Sequence, residues 1–189
     1  MTAAGRRSEQ GLGARTQTRS LGDFSGVGYD KGRSKLVQAL WFAVLNLVFR
    51  AWWCPKGLRP VLLRWFGATV GSGVLIRHHV RVLWPWKLTI GDDCWVGESA
   101  WILNLEPVVL GHDVCLSQGV FLCAGSHDRR SPSFEFDNGP IEIGDGAWIA
   151  ATAVVLRGTR VGRNAVVGAG SIVTHDVADE ALVPAGVRW

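Results

Sequence analysis

A chain of 189 residues, 48% of them apolar, is long enough for one folded body with a small appendage and too apolar for wholesale disorder. Its net charge of +4 traces to residues 1–35, where seven Lys/Arg meet three acids. The remainder carries thirteen of each, so no nucleic-acid partner is expected for the body of the chain.

Residues 1–22 are polar and basic with no apolar stretch of signal-peptide type, and read as a disordered basic leader. The four cysteines, Cys54, Cys94, Cys115 and Cys123, form neither a C-x-x-C pair nor a zinc-finger spacing with histidine, so a reducing cytosol is the expected compartment. Residues 23–68 read as a helical segment. Ser34 is placed to cap a helix from about Lys35 to Trp53, which Pro55 would stop, and a second short helix is expected over Leu58–Phe66. The apolar run Leu36–Phe49 is short of the roughly 20 residues that span a bilayer. Apolar residues cover most of the first helix, which leaves two readings open: packing on the rest of the protein, or contact with a membrane surface.

From about residue 69 to 189 a six-residue beat takes over. Branched apolar residues recur at Val70, Ile76 and Val82, at Ile90, Val96 and Ile102, at Leu110, Leu116 and Leu122, at Ile143, Ile149 and Val155, and at Val161, Val167 and Val173. Small or β-branched residues such as Cys94, Ala100, Ala147, Ala153 and Ala165 stand two places earlier, which is strand alternation. Glycines follow many of the markers, at Gly91, Gly97 and Gly168 among others, where a turn with positive φ is expected. A short strand and a sharp corner every six residues make a triangular prism, with about five 18-residue coils stacked as a parallel β-helix. Extra residues collect between coils, and the longest excursion is the loop 128–142.

The runs Trp84-Pro-Trp-Lys-Leu-Thr-Ile-Gly-Asp92, Cys115-Leu-Ser-Gln-Gly119, Gly125-Ser-His-Asp128 and Val167-Gly-Ala-Gly-Ser-Ile-Val-Thr174 narrow this further. Over roughly residues 23–186 the chain resembles the left-handed β-helix, hexapeptide-repeat acyltransferases, and most of all the sugar O-acetyltransferases of the colanic acid biosynthesis type. The resemblance implies acetyl transfer from acetyl-CoA to a hydroxyl of a sugar or lipid-linked oligosaccharide, without a metal. A sugar hydroxyl needs a base as it attacks a thioester, and histidine suits the task. Of the five histidines, His127 alone stands directly before the long excursion, and it matches the family's catalytic histidine. Asp128 either orients that imidazole or begins the loop.

By the same resemblance the main chain at Ala151 and Ala169 contacts CoA, Thr174 lies nearer the nucleotide, and His175 replaces a lysine that many relatives hold near the CoA phosphates. Asn104 and Glu106 match a corner where relatives place sugar-binding groups. Arg129, Arg130, Phe134, Phe136 and Asp137 are candidates for shaping the acceptor pocket. His127 stands five residues past its marker and Ala151 two past its own, so they occupy different corners. A site completed between subunits of a homotrimer is therefore expected, with outward Trp95, Trp148, Trp101 and Phe121 at the interface. The enzyme is expected in the cytoplasm or at the inner face of the membrane. A non-catalytic β-helix scaffold, and a zinc hydratase needing three histidines, are the rival readings.

Overall fold

The computed structural model describes residues 18–189, and from Thr69 onward the chain winds as a parallel β-helix. Thr69–Val70, Leu88–Ile90, Val108–Leu110, Ile141–Ile143 and Thr159–Val161 form its first face. Leu75–Ile76, Trp95–Val96, Cys115–Leu116, Trp148–Ile149, Val166–Val167 and Leu182–Val183 form the second. Arg81–Val82, Trp101–Leu103, Phe121–Cys123, Val154–Leu156 and Ile172–Val173 form the third. Markers pair with markers: Ile76 faces Val96, Val96 faces Leu116, and Ile102 faces Leu122. All fifteen marker side chains are buried, together with the residues two places before them except the half-buried Val74, so the inward positions of the strands fill one continuous core. Backbone amides tie each coil to the next, as where Trp95 N–H donates to Val114 O over 2.9 Å and Cys115 N–H to Ala147 O over 3.0 Å.

The five expected coils are followed by part of a sixth. Leu182–Val183 adds a strand to the second face, and Val177 and Arg188 bridge the other two faces. The marker spacing shortens between Val173 and Val177, which hides this coil from a six-residue search.

The glycines after the markers have a different cause from the one expected. Gly91 and Gly97 do not have positive φ. A Cβ on Gly91 would stand 2.5 Å from Gly111 O, and one on Gly97 2.5 Å from the Ser117 carbonyl carbon, so close approach of the next coil is what requires them. Positive φ falls instead on the turn residues, several of them not glycine. The corner between the first and second faces has it at Asp93, Asp113 and Asn164, and the corner between the second and third faces at His79, Ser99 and Thr152. The corner between the third and first faces lacks this regularity and carries the insertions.

A solenoid's first coil leaves a row of carbonyls without partners from below. Here three side chains supply the donors, one for each face. Arg64 Nε donates to Val70 O, Arg59 Nη1 to Ile76 O and the Trp41 indole to Val82 O, over 2.9, 3.4 and 3.0 Å. They belong to two helices, α1 (Lys35–Val44) and α2 (Leu58–Trp65), that cap the prism. Ser34 caps α1 as expected, accepting from Val37 N–H. The first helix ends sooner than Trp53: a wide turn at Leu45–Phe49 closes it, and the buried Arg59 guanidinium takes the carbonyls of Phe49 and Ala51 that further helix would use. Burial away from water lowers the pKa of Arg59.

Most of the basic leader, residues 1–17, lies outside the described residues. Residues 18–22 pack on the excursion loop, with Ser20 N–H donating to Pro132 O over 2.9 Å. A single 3-10 turn, Leu21–Asp23, follows.

Candidate active site

The third face ends its third strand at Cys123, and the chain then leaves the prism at the irregular corner. Residues 126–137 fold into a small antiparallel hairpin. His127 bridges Phe136, Asp128 N–H donates to Glu135 O over 2.8 Å, and Asp137 N–H returns to Ser126 O over 2.9 Å. An ion pair between Asp137 and Arg157 fastens the hairpin's exit to the coil above. The excursion thus begins two residues before the expected 128, and the first face resumes at Ile141.

This hairpin fixes the imidazole. His127 Nδ1 lies 2.7 Å from Phe134 O, a contact in which the nitrogen must donate, so the neutral ring carries its proton there and presents the Nε2 lone pair. Phe134 stacks on the ring at 4.3 Å and 6°, Phe136 at 5.1 Å and 25°, and Phe24 meets its edge at 5.5 Å. The half-buried ring faces an open cleft of about 460 Å³ walled by Ser126, Asp128, Arg129, Arg130, Asp137 and Arg157.

Asp128 does not orient the imidazole. Its Oδ1 accepts from Arg130 N–H over 2.8 Å and shapes the hairpin, and the orienting acceptor is the Phe134 carbonyl. Asn104 is likewise not a surface group. It is fully buried, its Oδ1 accepts from Trp84 N–H over 3.0 Å, and its Nδ2 donates to Trp84 O over 2.6 Å. Both ends of the amide are consumed in tying one irregular corner to the next, which leaves nothing for a sugar. Glu106 is half-buried on the corner of His127, one coil earlier. It acts on Tyr29, whose hydroxyl accepts from the Trp84 indole over 2.7 Å. Burial first, opposed by that hydrogen bond, and then the negative charges of Glu106 and Asp30 push the Tyr29 pKa up. Of the excursion residues, Phe134 and Phe136 serve His127, and Arg129 and Arg130 line the cleft.

The four cofactor candidates fall on two corners. Ala151 and Ala169 stack at the corner between the second and third faces, where Gly170 N–H donates to Ala151 O and Gly186 N–H to Ala169 O, each over 2.9 Å. Thr174 and His175 lie on the corner of His127, two coils further on. The Thr174 hydroxyl lies 2.6 Å from Trp189 O and 2.8 Å from His175 Nδ1. Within one protomer, His127 and Ala151 therefore stand at opposite edges of the third face.

The segment from Arg19 to Tyr29, expected as the end of the disordered leader and the start of the helical segment, forms no α-helix and instead crosses the hairpin. Glu135 accepts from Ser25 N–H, the Ser25 hydroxyl and Gly26 N–H over 3.1, 2.9 and 3.1 Å, and these bonds, the Ser25 amide foremost, lower its pKa. Phe24 and Tyr29 also pack on Phe136. The one signal available in sequence was two aromatic residues set in an otherwise Gly- and Ser-rich stretch.

Among the described residues, the group of side chains close enough to share a metal ion is His78, His79 and Glu98, and it does not include His127. Glu98 Oε1 lies 3.1 Å from His78 Nε2 and 3.5 Å from His79 Nδ1. Arg50, Arg77 and Arg81 share the adjoining walls, a setting that opposes a further cation.

Comparison with known proteins agrees with this architecture. The family described as bacterial transferase hexapeptide (six repeats) matches residues 140–175, and that described as hexapeptide repeat of succinyl-transferase matches residues 87–124. The chain is 40% identical over 157 residues to WcaF of Escherichia coli K12, named for an acetyltransferase of colanic acid biosynthesis, covering 80% of this chain and 85% of that one. It is 30% identical over 132 residues to the galactoside O-acetyltransferase of the same organism, covering 68% and 64%. A hexapeptide-repeat acetyltransferase of Vibrio cholerae, solved with acetyl coenzyme A, superposes with a TM-score of 0.74 at 21% identity, over 84% of this chain and 88% of that one. A galactoside acetyltransferase solved with coenzyme A gives 0.72 at 24%, over 81% and 79%. At these identities the two structures speak for the fold.

Proposed function

Since the chain belongs to the hexapeptide-repeat acetyltransferases, we propose that it moves an acetyl group from acetyl-CoA to a hydroxyl of a sugar or lipid-linked oligosaccharide in the cytoplasm, with His127 as general base. That it is an acetyl-CoA-dependent acyltransferase follows from the family; the acceptor and the base are the proposal. The contact that carries the reading is the one between His127 Nδ1 and Phe134 O, because it assigns the proton of the neutral ring to Nδ1 and leaves Nε2 as the lone pair of a side chain that lines a cleft. As the acceptor oxygen closes on the thioester carbonyl, Nε2 takes its proton. The tetrahedral oxyanion then collapses, the carbon–sulfur bond breaks, and the imidazolium returns the proton to the departing CoA thiolate.

Ala151 and Ala169 offer a main-chain groove for the pantetheine arm. It reaches His127 when the irregular corner of one prism, between its third and first faces, meets the corner between the second and third faces of its neighbour, and a closed ring of three repeats that contact without loose ends. Exposed Trp95 and Trp148 on the second face, with the stacked Trp101 and Phe121 on the third, supply apolar surface for such packing.

Thiol release from acetyl-CoA, followed with a panel of soluble sugars, tests the reading. The wild type should turn over with at least one sugar, and His127→Ala should lose kcat by roughly 10²–10⁴-fold while its melting curve is unchanged. Turnover by His127→Ala at the wild-type rate would reject the base.

A further inference from the structure

The helical cap has an outer side whose composition is unlike the rest of the molecule. The thirteen acids that balance the charge of the body all lie beyond Gly91; from Lys31 to Gly91 the sequence holds ten Lys or Arg and no Asp or Glu. In the same stretch, large apolar side chains stand in solvent. Leu36, Leu47, Trp52 and Trp65 are 79%, 71%, 77% and 75% exposed. Cations stand among them: Arg33 shares an open depression with Leu40 and Trp65, and Trp52 shares another with Lys56 and Arg77. Both helices belong to the cap of the first coil, so this surface sits at one end of the prism. No described helix is long and apolar enough to cross a membrane.

We propose that this end is a docking surface for an anionic lipid bilayer. Tryptophan and leucine belong at the boundary between headgroups and acyl chains, and interleaved Lys and Arg pair with lipid phosphates without leaving water. A second copy of the chain is a poor occupant, because it would oppose one predominantly cationic surface to another. A nucleic-acid backbone would satisfy the charge and leave Leu36 and Leu47 in water.

The test is sedimentation of the full chain with vesicles of phosphatidylcholine, with and without phosphatidylglycerol, at low and high salt. It reads binding alone and is independent of the acyltransferase reading. The wild type should bind the anionic vesicles and lose roughly tenfold in affinity on neutral vesicles or at high salt. The double variants Trp52→Ala/Trp65→Ala and Lys56→Glu/Arg77→Glu should each bind roughly tenfold more weakly, with unchanged melting curves because all four side chains are exposed. Equal binding to both vesicle types, no binding to either, or variants that bind as the wild type does would overturn the proposal. So would a cap that joins two copies, seen as a larger species in velocity sedimentation that the tryptophan variant breaks down.

Discussion

Two corners of the prism repeat and the third does not, and the difference separates scaffold from site. At the corner of Gly97 and Ala151 every coil makes the same turn, with positive φ at His79, Ser99, Gly119, Thr152 and Gly170 in succession. The backbone there is fixed by the coils on either side, and the turn is kept with side chains as different as those of His79, Ser99 and Thr152. At the corner of His127 no coil copies its neighbour: Pro85–Lys87 turns as a short helix, Asn104 staples two coils, and residues 126–137 leave altogether. Position there is set by side chains and by the crossing segment from Arg19 to Tyr29. A repeat builds uniform rungs, and a single imidazole with one defined tautomer needs a place where the repeat is broken.

The sharpest way to break the contrast is to add one methyl group at each corner. Gly97→Ala forces a Cβ against the Ser117 backbone, which cannot move without its whole coil, and should cost about 3 kcal/mol in urea unfolding. Gly125→Ala meets only the end of the Leu105 side chain, at 3.0 Å, and should cost less than about 1 kcal/mol. Equal costs would mean that the third corner is as rigid as the second.

Phe24→Ala comes next. It removes the edge contact on His127 without touching the repeat, so kcat should fall roughly tenfold through loss of positioning, with the melting temperature nearly unchanged. A fall in stability with kcat retained would make Phe24 a packing residue only.

The mildest effect is on pH. The folded-state pKa of Glu135 is lowered from an ordinary 4.5 by its bonds to Ser25 and Gly26. The clamp is therefore complete above about that pH and is lost as pH falls through the lower folded value. The protection factors of the Ser25 and Gly26 amides, taken against the intrinsic exchange rate at each pH, should fall across that window and hold at neutral pH, and Glu135→Gln should lower them at neutral pH toward the level the wild type reaches in acid.

The same division explains what could be read without coordinates. The fifteen markers, the inward small residues and the two capping helices were legible because each is a periodic demand of burial, repeated often enough to stand above chance. The sixth coil escaped because Val177 follows Val173 too soon. Asn104 resembled a sugar-binding group because a polar corner residue looks the same in sequence whether it faces solvent or holds two backbones together. The contact of Glu135 with Ser25 spans 110 residues and joins an aperiodic loop to an aperiodic arm. No local pattern announces such a pair. His127 was found by its place beside the break, whereas its orienting partner is a main-chain carbonyl, a group that every residue carries.

The measurement that reaches furthest is complementation in mixed assemblies. His127→Ala and a variant obstructed at the opposite corner, Ala151→Trp, should each be inactive alone. Unfolded together and refolded as a one-to-one mixture, they should recover about a quarter of wild-type activity per site, the fraction of interfaces that pair an intact imidazole with an intact groove. A mixture as inactive as its two components would contradict a site built from the corners of neighbouring chains.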